Sequence, residues 1–158
     1  ERMKKKKVWR YYCEFCKKSG GSGGPMKHHE ERCTMNPNRE CGMCKMVDSK
    51  QKDIKTLLAV LPDPKKYWVV DTFMTDLGDD IEVELGSYQN LDKAVLEVLP
   101  KLRELTGNCP ACIMAALRQK GIPLPLVSGF DFTEECKQVW ADINHANDEK
   151  NYGYAGWE

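Results

Sequence analysis

Long apolar runs are missing from this 158-residue chain. The longest, such as Leu57–Leu61 and Ile113–Leu117, fall far short of the roughly 18 residues that a membrane-spanning helix needs. No apolar h-region follows the basic start, so neither a membrane association nor secretion is expected. Histidine is scarce: His28, His29 and His145 are the only three. An HNH-type nuclease centre built from His28, His29, Asn36 and Asn38 would have only the distant His145 to draw on, which disfavours that chemistry. Net charge is also absent, because 24 Lys+Arg oppose 24 Asp+Glu. With 41% hydrophobic residues the chain can still bury one core, and its length fits a single domain with a small satellite.

The zero total hides a split. Residues 1–66 carry 17 Lys+Arg against 8 Asp+Glu, whereas residues 67–158 carry 7 against 16. A basic head on an acidic body either points the head toward a polyanion or lets the two halves attract each other. Candidate nucleic-acid contacts are Lys4, Lys5, Lys6, Lys7, Arg10, Lys17, Lys18 and Lys27. The segment Val8-Trp9-Arg10-Tyr11-Tyr12 reads as a strand, and its aromatics, interleaved with cations, suit stacking on bases as well as packing on neighbours.

What the chain has in plenty is cysteine. Six of its eight form the Cys-x-x-Cys pairs Cys13/Cys16, Cys41/Cys44 and Cys109/Cys112, with Cys33 and Cys136 outside them. A two-residue gap lets a tight turn aim both thiolates at one tetrahedral ion, and disulfide frameworks rarely repeat such short loops. A reducing, cytoplasmic setting is therefore expected, in which clustered thiols serve zinc. The first pair continues as Cys13-x2-Cys16-x12-His29-x3-Cys33. Pro25 can start a helix on which His29 and Cys33, at i and i+4, share one face; His28 is a register-shifted alternative ligand. Over residues 8–33 the segment resembles a C2H2-type zinc finger in its C2HC variant, with Met26 in the place of that family's helical core leucine. It departs from the family at Gly20, where fingers keep an aromatic. The resemblance puts the base-reading places on Ser22, Pro25 and His28, which lack the Arg, Asn or Gln forks that distinguish bases, so sequence-specific reading is not expected. The glycine-rich tip Ser19–Pro25 would either bring backbone amides to phosphate or form a mobile loop.

The pairs Cys41-Gly-Met-Cys44 and Cys109-Pro-Ala-Cys112 have 64 residues between them. Together they supply four thiolates, the second pair at the start of an apolar helix whose N-terminus favours negative charge. Knuckle, hairpin and helix-borne pair resemble a treble clef with a long insertion, which implies a four-cysteine zinc site. The competing arrangement pairs Cys13/Cys16 with Cys41/Cys44 and leaves the histidines free. Cys-Pro-x-Cys at a helix start also resembles the thioredoxin active site, but Leu91–Leu105 reads as a helix rather than the core strand such a motif follows. Cys136 is expected to be a small buried hydrophobe.

Residues 34–40 form a turn-rich connector. Helices are expected at 50–61, 90–105, 110–120 and 131–146, with Asp131 and Glu134 as a capping box, and Tyr67–Met74 with Ile81–Leu85 as a β-hairpin. Asp76, Asp79, Asp80, Glu82 and Glu84 could gather a divalent cation, but alternation turns the two glutamates away from Ile81, Val83 and Leu85, and no lysine accompanies them, so a solvated face is expected. The expected fold class is α+β: a small ββα zinc finger joined to a mainly helical body with one β-hairpin, tied by a four-cysteine zinc site. Residues 1–7 would be a basic arm, 8–40 the finger and connector, 41–148 the zinc-tied body and 149–158 an aromatic tail. The expected protein holds two zinc ions, at Cys13, Cys16, His29 and Cys33 and at Cys41, Cys44, Cys109 and Cys112, and binds DNA or RNA non-specifically through its head. The competing expectation is a zinc-stabilised protein-interaction, inhibitor or assembly factor acting through acidic helices, with an enzyme third. In general look the chain is similar to small uncharacterised zinc-finger proteins of phage genomes.

Overall fold

Apolar residues recur every three or four places between Leu91 and Thr106, and the stripe Leu91, Val95, Leu99 and Leu102 is buried, as a 3.6-residue period requires when one helix face meets a core. A computed structural model describes residues 3–75 and 81–152. Asp76, Asp79 and Asp80 of the acidic turn, and Tyr154 and Trp157 of the tail, lie outside the described residues. In chain order the elements are β1 (Tyr11–Tyr12), β2 (Ser19–Gly20), α1 (Gly23–Arg32), α2 (Gly42–Met46), α3 (Ile54–Val60), β3 (Trp68–Thr75), β4 (Ile81–Tyr88), α4 (Leu91–Thr106), α5 (Pro110–Lys120) and α6 (Phe132–Tyr152). The architecture is mixed α+β, with six helices and two antiparallel hairpins among the described residues.

The core forms around α5, which packs on α3, α4 and α6. Ile113, Ala115, Ala116 and Leu117 are all fully buried, and the two alanines let neighbouring helices approach closely. Leu57 from α3 and Leu61 just after it, with Ile122 and Val127 after α5, complete it. The turn into α5 is tight because Gly107 and Asn108 both adopt left-handed backbone, φ 60° and 59°; Asn108 N–H then donates to Arg103 O at 2.9 Å and closes α4. This turn places Cys109 immediately before α5, with Pro110 at its first position. Among the described residues no helix is long and apolar enough to cross a membrane.

Five elements differ from the sequence reading. Strand β1 is confined to Tyr11–Tyr12 of the expected Val8–Tyr12, and α3 begins at Ile54, after Asp53 in extended backbone, rather than at residue 50, because its apolar period starts only there. Helix α1 starts at Gly23 rather than Pro25, so most of the glycine tip is divided between β2 and the first helical turn and only Gly21 and Ser22 connect them; Pro25, third in the helix, lacks an N–H that would have had no partner there in any case. The hairpin strands run on to Tyr88, through Gly86 and Ser87, because Trp68 and Tyr88 meet edge-to-face at 4.8 Å and hold its base together. Helix α6 continues to Tyr152, beyond its apolar stripe, so its last turns carry no periodic signal. At its start Asp131 Oδ1 accepts from Glu134 N–H at 3.0 Å, but the Glu134 carboxylate takes Lys137 at 2.6 Å, and only half of the capping box forms. Arg103 grips Glu135 with two bonds of 2.6 and 2.8 Å and Gly129 O at 2.7 Å, tying the end of α4 to α6. Cys136 is half-buried rather than fully enclosed.

Candidate metal centres

The first centre begins in the turn between β1 and β2. Cys13 N–H donates to Lys18 O at 2.8 Å and Lys17 N–H to Cys13 O at 3.2 Å, with Lys17 in left-handed backbone, φ 60°. That fold of the two-residue spacer turns Cys13 and Cys16 toward α1, whose last turn presents His29 and whose end is Cys33. The ligand atoms of Cys13, Cys16, His29 and Cys33 lie within 4.8 Å of one another, and Cys16 Sγ is 3.1 Å from His29 Nε2. His28 does not join them: its side chain is 76% exposed and stands 3.4 Å from Glu31, which removes the register-shifted alternative. The missing aromatic at Gly20 has a substitute, since Met26 is buried and its methyl lies 3.3 Å from where a Gly20 Cβ would be. Burial pushes the Cys33 thiol from 9.0 up to about 11. Burial also raises Cys16, but the Lys18 backbone, His29 and the neighbouring thiols outweigh it and bring that thiol down to about 7.

The second centre joins segments 68 residues apart. Cys41, Cys44, Cys109 and Cys112 are all buried, with their sulfurs within 4.8 Å of one another. Cys41 Sγ is 3.5 Å from Cys109 Sγ, and Cys44 Sγ is 3.6 Å from Cys112 Sγ. A Zn–S bond of about 2.3 Å implies tetrahedral edges of about 3.8 Å, close to these separations. The alternative grouping of Cys13/Cys16 with Cys41/Cys44 is therefore not the one formed. The thioredoxin-like reading fails as well, because helix α4 precedes the Cys109 pair where that motif follows a strand. Hydrogen bonds from Cys109 and Cys112 lower the Cys41 thiol, those from Cys109 and Cys41 raise Cys112, and burial beside their charge pushes Cys44 up to about 12.

The chain matches no family model, no curated protein and no solved structure. Its chemistry rests on the geometry, and the two clusters are each suited to hold one zinc ion, giving two sites. Both donor sets are the sulfur and imidazole groups that Zn²⁺ prefers, and four protein donors leave no coordination position for water, the pattern of a structural ion. Among the described residues no other group of three or more metal-binding side chains forms; Glu82 and Glu84 are simply exposed.

Arg39 supplies an independent test of fit. It is 7% exposed, its Nη1 lies 3.8 Å from Cys112 Sγ, and its Nε has no hydrogen-bond partner. A buried guanidinium needs an anion beside it. Four thiolates around Zn²⁺ carry about −2, which is the counter-charge Arg39 lacks when the thiols are protonated. Gln51 braces the same segment, accepting from Cys41 N–H and donating to Arg39 O at 2.8 Å. Neither residue is marked by the cysteine spacing.

The connector between the centres is held by side chains equally silent in the sequence. Asn36 donates to Glu30 O at 2.8 Å and closes an Asx turn onto Asn38 N–H. Arg118 and Gln119 of α5 reach back to Thr34 Oγ1 at 2.9 Å, Thr34 O at 2.8 Å and Asn36 O at 3.0 Å. The Asn-Pro-Asn turn signal was present; its partners on α5 were not. All eight cations named above, Lys4–Lys7, Arg10, Lys17, Lys18 and Lys27, are exposed, and so are Trp9, Tyr11 and Tyr12.

Proposed function

We propose that this chain is a zinc-stabilised protein whose N-terminal ββα unit, a C2HC-type finger variant, binds nucleic acid without sequence preference. In this reading Cys13, Cys16, His29 and Cys33 ligate one ion, and Cys41, Cys44, Cys109 and Cys112 ligate the second in a treble-clef-like centre that anchors the unit to the body. The observation that carries it is the exposure of all eight cations around the first centre, while the docking contacts fall on the connector that follows α1. Ligation tempers the charge, because three thiolates and an imidazole leave about −1 at the first ion and four thiolates about −2 at the second. Binding is then modest and led by phosphate contacts. If about five phosphates are neutralised, log affinity falls against log salt with a slope of roughly −3.5 to −4.5. Titrating labelled DNA and RNA at several salt concentrations reads that slope, and changing Lys4–Lys7 to Ala should flatten it with the fold intact. Absence of binding to any probe at low salt would overturn the reading.

A protein-interaction or assembly role is favoured by a separate observation. The β3–β4 hairpin makes few contacts with the other elements and leaves Phe73 51% and Leu85 58% exposed, apolar area of the kind that marks contact surfaces. Changing both to Ser would abolish partner capture while leaving nucleic-acid binding unchanged.

A further inference from the structure

We infer that the N-terminal edge of the ββα unit takes single-stranded nucleic acid, stacking unpaired bases on Trp9 and Tyr12 while Arg10 and the flanking lysines hold the phosphates. The inference rests on the nucleic-acid reading above and narrows its ligand. Trp9 is 88% exposed and Tyr12 64%. A single exposed aromatic means little, but here Val8, Trp9, Tyr11 and Tyr12 are all exposed within five residues, with Phe15 of the adjoining turn more than a third exposed. Such a strip departs from ordinary packing, and it lies between Lys4–Lys7 on one side and Lys17 and Lys18 on the other. Cations flanking free ring faces make the charge and shape of a strand-binding platform.

The contacts already made separate the available rings from the occupied one. Tyr11 leans on α1, its ring 3.2 Å from where a Gly23 Cβ would stand. Arg10 Nη1 donates to Ser19 Oγ at 3.0 Å, and Ser19 is the cross-strand neighbour of Tyr12. Tyr12 therefore faces away from α1 on the side that Arg10 reaches, while Trp9 precedes β1, in a segment outside any strand, and at 88% exposure is not tied to the Tyr11 face by that alternation.

The opposite side of the unit is unsuited to a duplex. The helix that would enter a major groove begins with Gly23, Gly24 and Pro25 and then carries Glu30 and Glu31, the latter beside His28. Its reading places Ser22, Pro25 and His28 offer no long polar fork to base edges, Arg32 stands only at the helix's last position, and the carboxylates of Glu30 and Glu31 meet phosphate with like charge. Paired bases present only their edges, whereas unpaired bases present π-faces to Trp9 and Tyr12.

The test uses the full zinc-loaded chain with fluorescein-labelled 12-mers, oligo(dT), oligo(rU) and a mixed-sequence DNA duplex, read by anisotropy at about 50 and 300 mM NaCl. Stacking survives salt better than phosphate contacts, so the single strands should outbind the duplex about tenfold or more at the higher salt. Trp9→Ala and Tyr12→Ala should each weaken single-strand binding roughly 5- to 150-fold, Trp9→Phe should restore most of it, and duplex binding should not change. Both side chains are exposed, so the variants should keep two zinc ions per chain. A preference between oligo(dT) and oligo(rU) supports the inference, and oligo(dU) then separates the sugar from the thymine methyl. Equal binding of single strands and duplex, weakened by Lys4–Lys7→Ala but not by Trp9→Ala, overturns stacking and leaves the phosphate reading standing. No binding to any probe overturns both.

Discussion

Arg39 shows what a buried charge implies about its surroundings. Its guanidinium, beside Cys112 Sγ, is compensated most fully when all four sulfurs are thiolates, so it should tighten the ion's hold. Arg39→Met should lower zinc affinity about 10- to 100-fold, as outer-shell changes at metal sites do, measured by chelator competition; unchanged affinity would show that Arg39 only fills space. The thiols set a second expectation. Cys33 and Cys44, raised to about 11 and about 12, stabilise the metal-free fold while protonated, fully below pH 9, and that contribution is lost as pH rises through 11 to 12. Cys16, lowered to about 7, works oppositely, contributing above pH 9 and losing its contribution as pH falls through 7. Melting temperatures of chelated protein should therefore fall on both the acid and alkaline sides, whereas zinc-loaded protein should hold through the alkaline window and release its ion only on acidification. At this scale the sequence was most legible in its cysteines, because ligand spacing is local. It was least legible in Arg39 and Gln51, whose roles depend on where a distant segment arrives.

Among the elements, the β3–β4 hairpin depends on a residue with no side chain. A Cβ on Gly86 would lie 2.0 Å from the Trp68 ring, so Gly86→Ala must displace that ring and break its edge-to-face pair with Tyr88. The expected loss is about 1–2 kcal/mol, from strain plus the aromatic pair, read as a lower melting temperature. In a Trp68→Ala background the same substitution should cost almost nothing, and an unchanged penalty there would contradict the steric cause. The sequence placed α4 and α5 within about a residue of their observed ends, since both carry a buried periodic face and a glycine after the last turn. It stopped β4 at Leu85 and α6 at 146 because Gly86-Ser87 and the polar residues after Ile143 look like chain endings. In the fold a cross-strand pair carries the strand onward, and nothing interrupts the solvent-facing helix.

At the scale of the whole molecule, the two centres differ in what they hold together. Cys41, Cys44, Cys109 and Cys112 are continuous with the main core, whereas Cys13 and Cys33 sit with Met26 in a separate small cluster. Structural zinc is worth on the order of 10 kcal/mol or more, comparable to a domain's whole stability. Cys109→Ser should therefore lower the melting temperature of the body more than Cys13→Ser, and elemental analysis should find two zinc ions in the native chain and one in the Cys13→Ser variant. Equal melting temperatures, or a single ion in the native chain, would refute this division. The sequence by itself determined the metal chemistry, the α+β class and the concentration of positive charge in residues 1–66, because donor spacing, hydrophobic period and composition are properties of short stretches of chain. Only the tertiary structure decided that Cys41/Cys44 meet Cys109/Cys112 rather than Cys13/Cys16, that His28 stays outside the first centre, and that Trp9 and Tyr12 remain uncovered. Each of these depends on which distant surfaces the core brings into contact, and burial is settled only when the whole chain has packed.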